Sequence, residues 1–231
     1  MNLAIVGYGK MGRLIDQLAP EYGFTVTQKL DEFNNPGQAA MTPENFRGVA
    51  VAIEFSTPES VLPNVQRLTE LGVNAVIGTT GWLAHLDEIR AMVDQAGTGL
   101  VWSPNYSIGV NVFSRLVREA ARLLKDEKEY EAWAWEIHHS AKLDAPSGTL
   151  LKLVDDMHQA GYQRNIDQSA SRAGKHPGTH EIGFDSAADT ITLKHAARSR
   201  EGFARGALKA AQWVAGKKGF HEFSEVLFGK Q

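Results

Sequence analysis

An α/β fold with a parallel, doubly wound sheet and an inserted α+β unit is predicted by three features of the sequence. Up to Tyr106, short β-rich runs alternate with helical patterns, and runs such as Leu3 to Val6 and Val49 to Phe55 are almost wholly apolar. That is the mark of strands covered on both faces, as in a parallel sheet between helices. A glycine-rich turn joins the first strand to the first helix. Past Tyr106 the pattern changes: Trp133, Trp135 and Ile137 alternate with Ala134, Glu136 and His138, which describes a half-buried strand.

Leu3 to Val6 is the first buried strand, Lys10 to Ala19 a helix, and Thr25 to Leu30 the second strand. Residues 32–47 carry Asn34, Asn35, Pro36, Gly37 and Pro43 and read as a connection with a short helical turn. Val49 to Phe55 is an almost wholly apolar strand. Ser56 and Glu59 after it have capping-box spacing, and Pro58 suits a first helical turn. Asn74 to Ile77, Leu83 to Gln95 and Gly99 to Trp102 continue the series as strand, helix and strand. A helix over Ile108 to Leu124 opens the second unit, whose strands are Tyr130 to His138 and the hairpin of His180 to Asp185 with Thr190 to Ala196. Gly202 to Ala215 is an amphipathic helix stopped by Gly216, and Phe223 to Phe228 is a short apolar tail. The expected division is residues 1–107 plus 200–231 for a dinucleotide-binding domain. Residues 108–199 are expected to form a substrate-binding domain.

Composition excludes several classes of function. The 231 residues are 43% apolar and 22% charged with a net charge of −3, so nothing global points to nucleic acid or an anionic membrane. Any anionic ligand must be met by a local cluster. Cysteine is absent, which removes disulfides, thiolate nucleophiles and thiolate metal sites. No run approaches the roughly 18 apolar residues of a membrane span. The opening M-N-L-A-I-V-G-Y-G-K-M-G is a strand running into a loop, not a basic leader, and the expected compartment is the cytoplasm.

The loop Gly7, Tyr8, Gly9, Lys10, Met11, Gly12 is G-x-G-x-x-G. Its first glycine permits a tight turn, its second lets backbone amides approach a pyrophosphate, and its third lets helix and strand pack closely. The helix N-terminus then faces the phosphate charge. Asp31, about 20 residues further on, is where a carboxylate binds the adenosine ribose hydroxyls. These features predict a Rossmann-type domain that takes NADH or NADPH. Asp31 repels a 2′-phosphate and so favours NADH slightly, although Lys29 offsets this if it faces the ribose. Gly78, Thr79 and Thr80, and the loop Ser103, Pro104, Asn105, Tyr106, fall at strand ends where the nicotinamide half of such a cofactor lies.

The stretch Glu136 to Leu151, E-I-H-H-S-A-K-L-D-A-P-S-G-T-L-L, concentrates titratable groups before a helix. Strand alternation sets His138 with Ala134 and Glu136, and His139 with Trp133 and Trp135. Both histidines reach one ligand only if the chain leaves strand geometry there. This alternation, with no matching third and fourth ligand, argues against a metal site. Leu150, Leu151, Leu153, Val154 and Met157 form an apolar helical stripe that Ser147 or Asp144 can cap. Unpaired amides at Gly148 and Thr149, the Thr149 hydroxyl and the Lys142 cation make a carboxylate-sized anion site. An imidazole beside it is a natural proton donor near neutral pH.

E-I-H-H-x-x-K-x-D-A-P-S-G-T resembles the signature of the 4-hydroxy-tetrahydrodipicolinate (dihydrodipicolinate) reductase family of diaminopimelate and lysine synthesis. Blocks spread along nearly the whole chain support the resemblance: the glycine loop, Gly78-Thr79-Thr80, Ser103 to Asn111, Ser171 to Gly174, and Arg200 to Ala207. It implies NAD(P)H-dependent reduction of a small cyclic imine dicarboxylate, with His138 as proton donor or acceptor and Lys142 as second donor. His139, Ser147, Gly148, Thr149 and Arg200 are implied substrate contacts, and a homotetramer is the implied assembly. The chain is short for the family, being compressed between Gln28 and Val49, and Pro177-Gly-Thr-His180 stands where Gly-Glu-His is common.

Overall fold

The computed structural model describes residues 1–229. In chain order the strands are β1 (Asn2–Val6), β2 (Thr25–Leu30), β3 (Val49–Glu54), β4 (Asn74–Ile77), β5 (Gly99–Trp102), β6 (Glu131–His138), β7 (Ile166–Arg172), β8 (Thr179–Asp185), β9 (Thr190–Ala196) and β10 (Gly219–Glu222). The α-helices are α1 (Lys10–Leu18), α2 (Pro58–Glu70), α3 (Leu86–Ala96), α4 (Ile108–Leu124), α5 (Gly148–Gln159), α6 (Glu201–Val214) and α7 (Phe223–Phe228). Two compact units result: Met1–Ser107 with the chain from Phe203 onward, and Ile108–Gly202. No helix among the described residues is long and apolar enough to cross a membrane.

The first unit holds a six-stranded parallel sheet in the order β10-β5-β4-β3-β1-β2. The apolar stretches of β1, β3, β4 and β5 serve two cores at once. Leu3, Ile5, Val51, Ile53, Val76 and Val101 pack one face against α1 and α6; Ala4, Val6, Ala52, Ala75, Ile77 and Leu100 pack the other against α2 and α3. Burying a side chain such as Ile5, fully enclosed here, stabilises by about 1.5–3 kcal/mol. The alanine stripe of α6 lets the helix approach closely, and a Cβ on Gly206 would stand 1.7 Å from the Tyr106 carbonyl oxygen.

Between β2 and β3 the chain forms no strand, only turns around a 3-10 segment, Pro36–Gln38. It therefore passes straight from β2, on one side of β1, to β3 on the other. The order reverses at β1 and β3, the point outside whose carboxyl ends a doubly wound sheet binds its ligand. The short connection between β2 and β3 leaves this crevice in place.

The second unit has a mixed sheet, β7-β6-β8-β9, with β6 and β7 parallel and the other pairs antiparallel. Phe113, Val117 and Ala121 of α4 and Leu150, Leu153, Val154 and Met157 of α5 cover Ala132, Ala134, Ile182 and Phe184.

Several local expectations are corrected. Ser56 does not cap α2: the helix follows Thr57, which makes no side-chain cap, and the Ser56 hydroxyl bonds the Glu54 carboxylate instead. The 83–95 helix begins as a 3-10 turn, Leu83–His85. The apolar tail is a short helix whose Phe223 is fully buried. Two strands were not expected. β7, I-D-Q-S-A-S-R, is a polar edge strand without apolar periodicity, and β10, G-F-H-E, is too short to show any.

Candidate functional site

The glycine loop is built by backbone sterics. Gly7 has φ +97°, and a Cβ there would lie 2.1 Å from the Phe55 carbonyl oxygen. Its amide and that of Tyr8 donate to the Leu30 carbonyl at 2.8 and 2.9 Å, folding the turn over the end of β2. A Cβ on Gly12 would stand 2.4 Å from the Gly7 oxygen, so α1 seats on the turn only because that side chain is missing. At Gly9, the N-cap of α1, a Cβ would meet nothing within 4 Å, and no side chain caps the helix amides. Bare helix amides beneath an open glycine fit a phosphate-bearing cofactor. Lys10 is exposed and Met11 half-buried beside it.

Asp31 follows β2 directly. Its Oδ1 accepts from the amides of Phe33 (3.0 Å) and Asn34 (3.1 Å), which holds the carboxylate in a fixed turn. Lys29 is directed to Asp16, with Nζ 2.7 Å from its carboxylate, and the Tyr8 hydroxyl bonds the same group. The hydrogen bond that Lys29 donates to Asp16 raises the Lys29 pKa. Lys29 therefore spends its charge on Asp16.

The strand-end loops divide into internal and outward groups. Thr79 is buried, its hydroxyl accepting from the Ser56 amide at 2.8 Å. The Ser103 hydroxyl bonds the Asn105 carbonyl at 2.8 Å. Tyr106 is a core residue: its ring packs on Phe223 with centroids 4.9 Å apart, and its hydroxyl reaches the carbonyls of Ile77 and Val101. The Tyr106 side chain is therefore unavailable to a cofactor. Gly78, Thr80, Pro104 and Asn105 are the exposed or half-buried members.

In the second unit, Glu136 and His138 project from β6 into the helix-covered face, as the alternation requires. Register supplies the rest. His180 of β8 pairs with Glu136, and Arg172 of β7 pairs with His138. The Glu136 carboxylate is fully buried and gathers five groups. One oxygen accepts from the Ser147 amide at 2.8 Å and Arg172 at 2.9 Å. The other accepts from the Ser147 hydroxyl and lies 3.6 Å from His138 Nδ1 and 3.4 Å from His180 Nε2. Burial opposes charge on Glu136, but the Ser147 and Arg172 bonds outweigh it and hold its pKa below the ordinary value. Burial pushes the His138 imidazole down, against the pull of Glu136 and reinforced by Lys142, Arg172 and His139. Burial and the neighbouring His138 lower His180 to about 4.

Glu136, His138 and His180 bring donor atoms within 4.8 Å of one another, a set that does not include His139. The Arg172 guanidinium already neutralises that carboxylate, however, and the arrangement suits proton handling better than a cation. Sequence reasoning assigned no role to Glu136, Arg172 or His180. The signal for Glu136 was present, since alternation puts it on the face of His138.

After His138 the chain leaves strand geometry, with the Lys142 amide bonding the His139 carbonyl. Ser147 caps α5 by accepting from the Leu150 amide at 3.3 Å. Lys142 Nζ lies 2.8 Å from the carboxylate of Asp144. That bond and a contribution from the Gly148 amide hold Asp144 below the usual carboxylate range. Gly148 is exposed at the first position of α5. Thr149 and His139 are half-buried in the same stretch, while Arg200 is exposed in the turn before α6.

Two family models match the chain: dihydrodipicolinate reductase, N-terminus, over residues 1–106, and dihydrodipicolinate reductase, C-terminus, over residues 109–227. Two curated relatives carry the name 4-hydroxy-tetrahydrodipicolinate reductase. That of Christiangramia forsetii is 32% identical, with 98% of each chain covered; that of Staphylococcus carnosus is 34% identical, covering 98% of this chain and 99% of its own. Among solved structures, a dipicolinate-bound dihydrodipicolinate reductase from Paenisporosarcina superposes with a TM-score of 0.83 at 21% identity, covering 98% of this chain and 99% of the other.

Proposed function

The chain belongs to the dihydrodipicolinate reductase family, and from that premise we propose that it reduces 4-hydroxy-tetrahydrodipicolinate to tetrahydrodipicolinate in diaminopimelate and lysine synthesis. The first unit is the dinucleotide-binding domain, with Gly7 to Gly12 and Asp31 holding the adenosine half. Gly78, Thr80, Pro104 and Asn105 face the nicotinamide half. The second unit binds substrate and mediates self-association into a tetramer. When bound, NADH or NADPH supplies the hydride.

One observation carries the substrate assignment. Lys142 Nζ already pairs with a carboxylate, that of Asp144 at 2.8 Å, just before the N-terminal amides of α5. The same donors suit a carboxylate of a cyclic dicarboxylate, with Thr149 and His139 alongside and Arg200 at the other acid group. The dicarboxylate found in the Paenisporosarcina structure is of this class. The substrate loses water and is reduced at ring carbon four; electron density moves toward the ring nitrogen and a proton goes to the adjacent carbon. Lys142 stabilises the density gathering near the nitrogen, and His138 delivers the proton.

Asp31 supports a slight preference for NADH, since Lys29 is tied to Asp16 and offers nothing to a 2′-phosphate. A cytoplasmic location accords with such a biosynthetic role. The test is nucleotide oxidation by purified protein with freshly made 4-hydroxy-tetrahydrodipicolinate, compared with oxaloacetate plus ammonia. Turnover confined to the second pair would place the chain among amino-acid dehydrogenases instead. Light scattering on the same preparation measures the assembly.

A further inference from the structure

We propose that Glu136 is a positioning residue for His138, holding the ring so that Nδ1 faces a fixed anion while Nε2 exchanges the proton. The inference rests on the reductase reading above and names how its proton donor is set. His138 presents two different sides. Nδ1 is buried without a hydrogen-bond partner among the described residues and lies 3.6 Å from Glu136. Nε2 faces Gly178, where a Cβ would stand only 2.9 Å away. Any side chain at that position would crowd Nε2.

Glu136 is anchored independently of His138. Arg172 and the Ser147 amide hold one oxygen, and the Ser147 hydroxyl holds the other while also capping α5. The carboxylate is therefore a rigid reference between the proton donor and the helix start that meets the substrate. In the cationic ring, Nδ1–H points at Glu136 and Nε2–H at the substrate. Donation breaks the Nε2–H bond and forms a C–H bond at the substrate carbon. The ring is left neutral with its Nδ1 proton retained, and water later returns a proton to Nε2. His180 shares the Glu136 oxygen but is held neutral by its surroundings and so does not compete for this proton. Lys142, Arg172 and His139 disfavour the cation and Glu136 favours it; removing the carboxylate charge leaves the unfavourable neighbours unopposed.

Glu136→Gln keeps the shape and removes the charge. The expected result is a kcat lowered at least ~10-fold at neutral pH with substrate KM within about two-fold of wild type. The alkaline limb of the kcat profile moves to lower pH by about one unit. Wild type and His138→Gln are run in parallel. An active wild type, an inactive His138→Gln and a Glu136→Gln variant with unchanged kcat and pH limb would overturn the positioning role alone. A wild type that does not reduce the substrate overturns the functional reading itself. Nitrogen-15 histidine NMR on the wild-type protein decides the matter even where Glu136→Gln does not fold. Neutral His138 must carry its proton on Nδ1, and a ring protonated on Nε2 refutes the proposal.

Discussion

His138 and His180 stand with ring centroids 5.1 Å apart and planes at 71°, both facing one oxygen of Glu136. Two imidazoles sharing one carboxylate, with the Arg172 guanidinium already paired to it, cannot both carry charge cheaply. The pair resolves by keeping His180 neutral and leaving His138 to titrate.

Stability should fall in mild acid for that reason. His180 has a pKa near 4 in the folded protein, against about 6.5 when unfolded. Between these values the unfolded chain binds the extra proton, so stability rises with pH across the window and is fully present above about 6.5. It is lost as pH falls toward 4, by up to about 3 kcal/mol. Urea unfolding from pH 7 to 4.5 measures this, and His180→Gln should flatten the slope.

Two of the loop glycines, Gly7 and Gly9, should separate by cause. Gly7→Ala combines φ +97° with a Cβ 2.1 Å from the Phe55 oxygen and should destabilise by about 2 kcal/mol or more. Gly9→Ala meets no neighbour in the apoprotein and should alter stability by less than about 1 kcal/mol. It should nevertheless weaken nucleotide binding at least ~10-fold, because the new methyl occupies the path of the pyrophosphate. Thermal melts and nucleotide titration on the two variants provide the comparison.

Lys142 and Thr149 should divide rate from affinity. Lys142→Ala removes a cationic donor needed as charge develops and should lower kcat by ~100-fold or more. Thr149→Ala removes a ground-state carboxylate contact and should raise substrate KM by about 10-fold with kcat nearly intact. Steady-state kinetics showing the opposite split would reassign both residues.

Asp31→Ser should raise the NADPH to NADH ratio of kcat/KM by about 10-fold, since it removes a charge that repels a 2′-phosphate. The Asp31 carboxylate is fixed by the Phe33 and Asn34 amides, and serine can still accept one of those bonds. A ratio that does not move would exclude Asp31 from the ribose site.

Much of the fold was legible along the chain. The apolar runs at Leu3–Val6 and Val49–Glu54, the spacing of Ile108–Leu124 and the glycine loop are local signals, because helix and strand periods and backbone sterics act over a few residues. The same holds for the cap at Ser147 and for the segment bearing His138 and Lys142. β7 stayed hidden since an edge strand such as I-D-Q-S-A-S-R needs no buried face, and β10 since four residues carry no period.

What only the tertiary structure decided is the company each residue keeps. Tyr106 stands in a loop suited to a cofactor, yet the arrival of Phe223 from the far end of the chain places its ring in the core. Likewise Arg172 and His180 reach Glu136 solely through the register of β6 with β7 and β8. Sequence by itself determined the local elements and the candidate residues, because side-chain type and short-range geometry are written locally. The pairing of strands distant in the chain determined their charge states, because burial and opposed charges exist only once those strands have met.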